Sequence, residues 1–301
     1  MREDELLQRI RRDHGGEPPA GVIIPPGDDC ALVRPSGDVL LSVDQLIEGR
    51  HFDAETDADA VGRKAMARAI SDIAAMAGAP LCSLVAARLR PGLARGEALS
   101  DAVKRWGERF ACPVVGGDIA TAEGPEALTV TVLGTPHPSR GAVRRDGAGD
   151  GQLVCVTGSI GASFESGYHL SFVPRIDTGC ALADRFGASL TAMIDISDGL
   201  GIDAGRLARA SGVRIELDGK AIPLRDPTRG VRRAVADGED YELLFAIDFP
   251  SLDASVAREL GFTVIGRTRP GSGCVLHTSD GDAVEIGAYG WDHGDPEDPS
   301  A

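Results

Sequence analysis

The 301-residue chain is long enough for two domains of ordinary size, and its 43% hydrophobic and 26% charged residues are typical of a globular protein with a buried core. A formal net charge of −15 disfavours nucleic acid as a partner, because an acidic surface repels a phosphate backbone. The charged N-terminus MREDELLQRIRRDHGG lacks the apolar stretch of a signal peptide, and no apolar run approaches the roughly 20 residues that span a bilayer. Six cysteines without a CxxC pair indicate reduced thiols, so we expect a cytoplasmic protein without a membrane partner.

The first half of the chain predicts strands and helices in layers. Residues 1–13 are typical of a short helix, and the runs CALVR and VLLSVD around the turn at 35–38 predict a β-hairpin. The alanine-rich segment 58–78 predicts a long helix closed by glycine and proline, and residues 95–110 predict a second helix. The segments LCSLVAARL, CPVVGGD and ALTVTVLGT predict strands, which gives an α+β layer arrangement.

A polar segment rich in glycine and proline at 136–152 divides the chain, so we predict domains at 1–137 and 138–301. In the second half, LVCVTG predicts a strand that leads into the glycine-rich turn GSIGAS. The segment TAMIDISDGLGIDAGRLARASG predicts a strand that runs into a helix, and YELLFAI and FTVIGRT predict further strands. The predicted fold class is therefore α/β.

Aspartates near the ends of predicted elements are the main chemical feature of the sequence, which contains neither a GxxxxGK[ST] loop nor a GxGxxG turn that opens a helix. Taken singly, Asp198 or Ser197 could cap a helix, and Asp118 or Asp29 could form a turn beside glycine. Asp72 differs, because isoleucine and alanine flank it and a buried carboxylate needs a partner. Together, these carboxylates favour Mg²⁺ ions shared with substrate phosphates, which nearby glycine N–H groups could approach.

The motifs GDD, EGRHF, SDIAAM, VVGGD, DISDGL, GEDYELLF and GWDH follow one another in the order and spacing that resemble the thiamine-monophosphate kinase family, from about Glu5 to His293. That family belongs to a superfamily with aminoimidazole-ribonucleotide synthetase, selenophosphate synthetase and a hydrogenase maturation protein. The resemblance implies a two-domain α/β fold of the aminoimidazole-ribonucleotide-synthetase type. It also implies an N-terminal domain that binds ATP and Mg²⁺ and forms a homodimer, and a C-terminal α/β sandwich that completes the nucleotide and substrate site.

The resemblance assigns roles residue by residue. The implied ligands of several Mg²⁺ ions are Asp28, Ser42, Asp44, Asp72, Asp118, Asp195 and Asp198. The implied contacts to ATP are Gly117, Asp118, Arg145 and Ser197. The implied substrate residues are His51, Glu239, Asp240, Tyr241 and Trp291. No general base is assigned, because the acceptor is already a phosphate anion and needs its charge neutralised rather than a proton removed.

The predicted function is ATP-dependent phosphorylation of thiamine monophosphate to thiamine diphosphate by direct in-line transfer. One alternative is another ATP-dependent enzyme of the superfamily with a different acceptor, and a second is a nucleotide-binding protein that has lost catalysis. The chain departs from the family pattern at Ala69 and in a shortened segment at 163–177, which concerns the acceptor more than ATP. Each of three residues also has a structural alternative: His51 as a turn histidine, Arg145 as a solvated loop charge and Trp291 as a core or edge aromatic.

Overall fold

A computed structural model of the chain describes residues 21–24, 30, 32–249 and 252–291. The helix predicted at 1–13 and the segment that carries Asp28 lie outside these residues. The described chain divides into two compact units, and none of its helices is long and apolar enough to cross a membrane.

The first unit comprises the described residues through Ile73 together with Ala79–Pro136. Its strands are β1 (Val22–Ile24), β2 (Leu32–Val33), β3 (Leu40–Ile47), β4 (Ala79–Leu89), β5 (Val114–Thr121) and β6 (Ala127–Thr135). Its helices are α1 (Ala58–Ala75), whose last two residues group with the second unit, and α2 (Gly96–Arg109). The four-stranded sheet has the order β3-β6-β4-β5, with β4 and β5 parallel and the other neighbours antiparallel.

Small residues allow the two helices of the first unit to approach closely. A Cβ atom added at Gly62 of α1 would lie 2.6 Å from the Cβ atom of Ala102 in α2, so only glycine fits there. The neighbouring α1 residues Ala65 and Ala69 are buried as well. A core built in this way explains how a chain with 4% aromatic residues still fills its interior.

The predicted hairpin between CALVR and VLLSVD is wrong. Strand β2 pairs with β1, whereas β3 pairs along its whole length with β6. The physical reason is burial, because the inward residue Leu46 of β3 requires an apolar neighbour and Leu128 of β6 provides one in register. A strand of two residues cannot pair with all eight residues of β3.

The second unit comprises Ala74–Gly78 and the described residues from His137 onward. Its strands are β7 (Leu153–Thr157), β8 (Leu190–Asp195), β9 (Val213–Asp218), β10 (Leu243–Ile247), β11 (Phe262–Pro270), β12 (Cys274–His277) and β13 (Ala283–Glu285). Its helices are α3 (Ile176–Phe186), α4 (Leu200–Ser211), α5 (Val231–Ala234) and α6 (Ala254–Leu260). The strands form one seven-stranded sheet in the order β13-β12-β9-β11-β7-β10-β8.

Apolar clusters cover both faces of this sheet. Leu200, Ala204 and Leu207 of α4 belong to one cluster, and Leu182 and Phe186 of α3 belong to the other. Strands β7 and β10 lie inside the sheet and are buried at every position, which accounts for their continuous apolar sequences LVCVT and LLFAI. This arrangement places the carboxyl end of β8 directly before the start of α4.

Candidate active site

Strand β3 and helix α1 bring three of the predicted metal ligands together in the first unit. Ser42 and Asp44 are two residues apart on β3 and therefore share a face of the sheet. The hydroxyl of Ser42 donates a hydrogen bond to Asp72 Oδ2 on α1. The Asp44 carboxylate accepts from Arg68 of the same helix, at 3.2 Å from Nε and 3.1 Å from Nη2. Residues 68 and 72 are one helical turn apart, which sets these contacts side by side.

The carboxylate of Asp72 is accessible to solvent. Its neighbours Ile70 and Ile73 are buried, but Asp72 itself is exposed. The burial that its flanking residues indicate therefore does not occur. An exposed carboxylate next to Ser42 and Asp44 offers oxygen atoms to a ligand from solution.

His51 is a buried histidine whose tautomer is set by the backbone. Its Nδ1 accepts the N–H of Ile47 at 2.9 Å, and its carbonyl oxygen accepts Lys64 Nζ at 2.6 Å. Burial, together with the positive charges of Arg68 and Lys64, lowers the pKa of His51 to about 3. A neutral imidazole that accepts at Nδ1 carries its proton at Nε2. His51 can therefore donate one hydrogen bond without carrying charge.

Gly117 and Asp118 lie within β5, opposite Val85 and Ala86 of β4. A Cβ atom at Gly117 would lie 2.0 Å from the Val85 carbonyl oxygen, so the close approach of these strands requires glycine. Asp118 is exposed. Within the described part of the chain, no group of three or more His, Cys, Asp or Glu side chains is arranged to hold a metal ion.

In the second unit, a short turn carries three predicted residues between β8 and α4. Asp195 ends β8 and is buried, and Ser197 and Asp198 follow in the turn. Gly199 comes next with a φ of 119°, a backbone conformation that side chains disfavour. We call residues 195–199 the acidic turn.

The acidic turn is held by a carboxylate that the sequence does not single out. Oδ2 of Asp203 in α4 accepts the backbone N–H groups of Ser197 and Asp198, each at 3.0 Å. Arg206 Nη1 lies 2.6 Å from Asp203 Oδ1 and 2.5 Å from Asp198 Oδ2. Burial, followed by the negative charge of Asp198, raises the pKa of Asp203 to about 6.

Backbone hydrogen bonds bring the other predicted residues of this unit to the acidic turn. The N–H of Glu239 donates to the Ser197 carbonyl at 2.7 Å, and the N–H of Tyr241 donates to the Ile196 carbonyl at 2.7 Å. The N–H of Trp291 donates to the Asp198 carbonyl at 2.8 Å. The motifs DISDG, GEDYE and GWDH, distant in sequence, therefore meet in one place.

The segment 239–241 is conformationally unusual. Glu239 has a φ of 63° and Tyr241 a φ of 49°, values that are uncommon for residues other than glycine. Tyr241 is buried and stacks on Phe172, with ring centroids 4.1 Å apart. The fully buried Asp240 accepts hydrogen bonds from the Gly161 N–H at 2.9 Å and the Ser163 hydroxyl at 2.6 Å. The Arg225 Nη1 atom also donates to Asp240 Oδ1 at 2.6 Å, so any influence of Asp240 on a substrate must pass through the GSIGAS turn and the guanidinium that it holds.

Glu242 is a second residue that the sequence analysis does not identify. Its carboxylate is 1% exposed and accepts hydrogen bonds from Arg175 Nε at 2.7 Å, Thr157 Oγ1 at 2.6 Å and Tyr168 OH at 3.0 Å. Arg175 and Tyr168 belong to the shortened segment 163–177, so this carboxylate anchors that segment to β10. The signal in the sequence is the second glutamate of GEDYELLF, which lies directly before an apolar strand.

Arg145 lies apart from these contacts. Its carbonyl oxygen accepts the hydroxyl of Ser211 at 2.9 Å, at the C-terminal end of α4, while the acidic turn lies at the opposite end of that helix. The side chain of Arg145 is exposed. The six cysteines are all free thiols.

Two family models match the chain. The N-terminal domain of AIR synthase related proteins matches residues 27–135, and the C-terminal domain of the same proteins matches residues 149–277. Together they cover most of the chain.

Individual relatives match along nearly the whole chain. A thiamine-monophosphate kinase of Salmonella typhimurium is 33% identical over 305 residues, which covers 89% of this chain and 90% of the relative. The crystal structure of a thiamine-monophosphate kinase from Stenotrophomonas maltophilia superposes with a TM-score of 0.77 at 28% identity, covering 94% of this chain and 98% of that one. A structure described as AaThiL complexed with AMPPCP and TMP superposes with a TM-score of 0.72 at 30% identity, covering 97% and 99% of the two chains.

Proposed function

The chain belongs to the thiamine-monophosphate kinase family, and we propose that it transfers the γ-phosphoryl group of ATP to thiamine monophosphate, forming thiamine diphosphate. The observation that carries this proposal is the near full-length similarity to AaThiL, whose structure contains AMPPCP, an analogue of ATP, together with TMP. The motifs of the acidic turn and of residues 238–245 lie within the matched region.

The reaction joins two polyanions, so charge neutralisation is the main task of the site. The acceptor phosphate oxygen would form a bond to the γ-phosphorus of ATP while the bond from that phosphorus to the β–γ bridging oxygen breaks and ADP leaves. The acceptor needs no general base, because its oxygen is already anionic. Alignment of the two phosphates then supplies much of the rate enhancement.

The chain offers oxygen donors of the kind that Mg²⁺ prefers. Ser42, Asp44 and Asp72 contribute a hydroxyl and two carboxylates within the first unit, and hard oxygen ligands suit Mg²⁺ shared with phosphates. Asp195 and Asp198 contribute two more carboxylates at the acidic turn. We propose that these residues hold Mg²⁺, together with Asp28 and Asp118. Bound Mg²⁺ would neutralise the charge of the phosphate oxygens.

Other predicted residues would contact the substrates themselves. His51 is suited to donate from Nε2 to the phosphate of thiamine monophosphate, because a neutral imidazole is held there by the Ile47 N–H. The hydroxyl of Ser197 and the backbone at Gly117 are proposed contacts of ATP. Arg145, exposed and cationic, is proposed to reach the ATP phosphates. Trp291 and the segment 239–241 are proposed to serve the thiamine moiety.

We further propose that two copies of the chain associate through the first unit in the cytoplasm. Leu41 and Val43 of β3 are 70% and 65% exposed, and Leu84 of β4 is 46% exposed. Residues 41 and 43 alternate with Ser42 and Asp44, so they lie on the face of the sheet opposite α1. A sheet face with exposed large apolar residues suits a symmetric contact with its own copy. The free thiols agree with a reducing compartment.

The proposal is tested by ADP release in a coupled assay that contains ATP, Mg²⁺ and thiamine monophosphate, with each omitted in turn. We expect release that requires all three, and thiamine diphosphate as the product by chromatography. Silence with thiamine monophosphate, while ATP and Mg²⁺ still bind, would refute the kinase assignment and favour another acceptor or a non-catalytic nucleotide-binding role.

A further inference from the structure

We propose that Asp203 is a positioning residue, which fixes the acidic turn so that the carboxylate of Asp198 is held ready for a divalent cation. This inference rests on the proposed function. Asp203 lies one turn into α4, and its side chain is 1% exposed, so it cannot itself contact a substrate or a metal ion from solution. Its effect must therefore be exerted through the residues that it holds.

The Asp203 carboxylate uses both of its oxygen atoms within the protein. Oδ2 accepts two adjacent backbone N–H groups, those of Ser197 and Asp198, at 3.0 Å each. Oδ1 accepts Arg206 Nη1 at 2.6 Å, and the same nitrogen lies 2.5 Å from Asp198 Oδ2. One carboxylate thus fixes the backbone at two consecutive residues, Ser197 and Asp198. Through Arg206 it also sets the direction of the Asp198 side chain.

The amide groups that begin α4 are similarly committed to the protein. The N–H of Gly201 donates to the Val235 carbonyl at 2.8 Å, and the N–H of Ile202 donates to the Tyr289 carbonyl at 2.8 Å. With the N–H groups of Ser197 and Asp198 bound to Asp203, these backbone donors are not offered to a phosphate. At these four positions the backbone is therefore a rigid support for carboxylates and hydroxyls, and its amides do not cradle a phosphate.

The position requires a carboxylate, because an amide of the same shape cannot satisfy all the donors. In Asp203→Asn, one of the two terminal atoms becomes an NH₂ group, which is itself a donor. If that group faces the turn, the N–H groups of Ser197 and Asp198 lose their acceptor. If it faces Arg206, the guanidinium loses one of its two carboxylate acceptors and keeps only Asp198. Either orientation releases one side of the arrangement that holds Asp198.

We expect Asp203→Asn to weaken binding of divalent cations by about tenfold to a hundredfold, the usual effect of removing a group that orients a metal ligand. Mn²⁺ binding to the full-length protein without nucleotide, measured by electron paramagnetic resonance, gives this affinity without turnover. The concentration of Mg²⁺ that gives half-maximal activity should rise by a similar factor, while kcat at saturating Mg²⁺ changes less.

A control variant separates positioning from loss of stability. Phe262→Leu removes part of a buried ring from the cluster on the face of the sheet opposite α4, so it destabilises the second unit without touching the acidic turn. Its Mn²⁺ affinity should match that of the wild type even where its thermal midpoint falls as far as that of Asp203→Asn. Equal loss of Mn²⁺ affinity in both variants, or unchanged affinity in Asp203→Asn, would overturn the proposal.

A measurement on the unaltered protein keeps the inference testable if Asp203→Asn does not fold. The amide hydrogens of Ser197 and Asp198 should exchange as slowly as those of β8, although they lie in a turn, because Asp203 binds both. Rapid exchange at these two amides would contradict the proposal. Neither the exchange nor the Mn²⁺ measurement depends on thiamine monophosphate, so their outcome is independent of the coupled assay that tests the kinase function.

Discussion

Protonation of His51 should link the stability of the first unit to pH. The imidazole is buried, accepts the Ile47 N–H and lies near two cationic side chains, so the folded protein resists its protonation. In the unfolded chain the same group has an ordinary pKa of about 6.5. As pH falls, the unfolded chain therefore takes up a proton that the folded chain does not.

The sign and size of the effect follow from these two pKa values. Because the folded pKa is depressed to about 3, the contribution of His51 is fully present above about pH 6.5 and is lost as pH falls toward 3. Within this window each pH unit lowers the free energy of unfolding by about 1.4 kcal/mol. Between pH 7 and pH 5, the pH falls about 1.5 units below the pKa of the unfolded chain. The titration of His51 alone should therefore lower the free energy of unfolding of the wild type by about 2 kcal/mol.

The variant His51→Asn removes this titration and keeps an acceptor for the Ile47 N–H, because the side-chain oxygen of asparagine takes the place of Nδ1. The chain has two tryptophans, so a Trp291→Phe background leaves Trp106 of α2 as a fluorescent reporter of the first unit. Urea unfolding at pH 5, 6 and 7 would then give the free energy of unfolding of that unit with and without His51.

The difference in free energy of unfolding between the two proteins should change by about 2 kcal/mol from pH 7 to pH 5, with the wild type losing more. His277→Asn provides the control, because it removes a histidine that is half exposed and lies in the second unit. This variant should not change the pH dependence that Trp106 reports for the first unit. Parallel pH curves for wild type and His51→Asn would refute the reasoning, because they would mean that His51 binds its proton equally well in both states.

Three further predictions concern the rest of the site. Asp72→Asn should abolish Mg²⁺-dependent ADP release and leave the circular dichroism spectrum unchanged, because it removes an exposed carboxylate; unchanged activity would exclude Asp72 from the site. Glu242→Ala should lower the free energy of unfolding of the second unit by about 3 kcal/mol, because it leaves the charge of Arg175 without its buried partner. An unfolding midpoint in urea equal to that of the wild type would contradict this. Val43→Lys should halve the molar mass measured by light scattering, whereas Val173→Lys, at an apolar residue of the second unit that is 52% exposed, should not. A dimer that survives Val43→Lys would exclude this face as the interface.

The sequence predicts best what depends on neighbouring residues. The end of β8, the acidic turn and the start of α4 are all indicated by a short apolar run, a glycine and a helical pattern within one segment. The pairing of β3 is different, because the turn signal at 35–38 is local while its partner β6 is distant in the chain. Burial of the inner face of β3 against β6 determines this pairing, and no pattern within a short segment of sequence indicates it.

Roles that depend on packing are the ones that sequence reasoning does not reach. Asp203 has the sequence signature of an ordinary acidic residue in the first turn of a helix, and only the folded chain places it under two backbone amides. Helix α3 is not predicted at all, in part because Gly179 interrupts its sequence. A Cβ atom at that glycine would lie 2.7 Å from the Ala74 carbonyl oxygen, so packing requires a residue that weakens the helix signal.

Hydrogen bonds join the acidic turn to Glu239, Tyr241 and Trp291, and they also determine when the site takes its final form during synthesis. During synthesis, β8 and α4 leave the ribosome well before the residues that bond to their backbone, and Trp291 emerges long after Asp198. Contacts between partners so far apart in sequence form late, because the intervening chain must first be ordered. The nascent second unit should therefore carry its aspartates for some time before they acquire their final geometry. A fragment that stops before Tyr289 would contain every acidic residue of the turn and still lack the backbone partner that completes the start of α4.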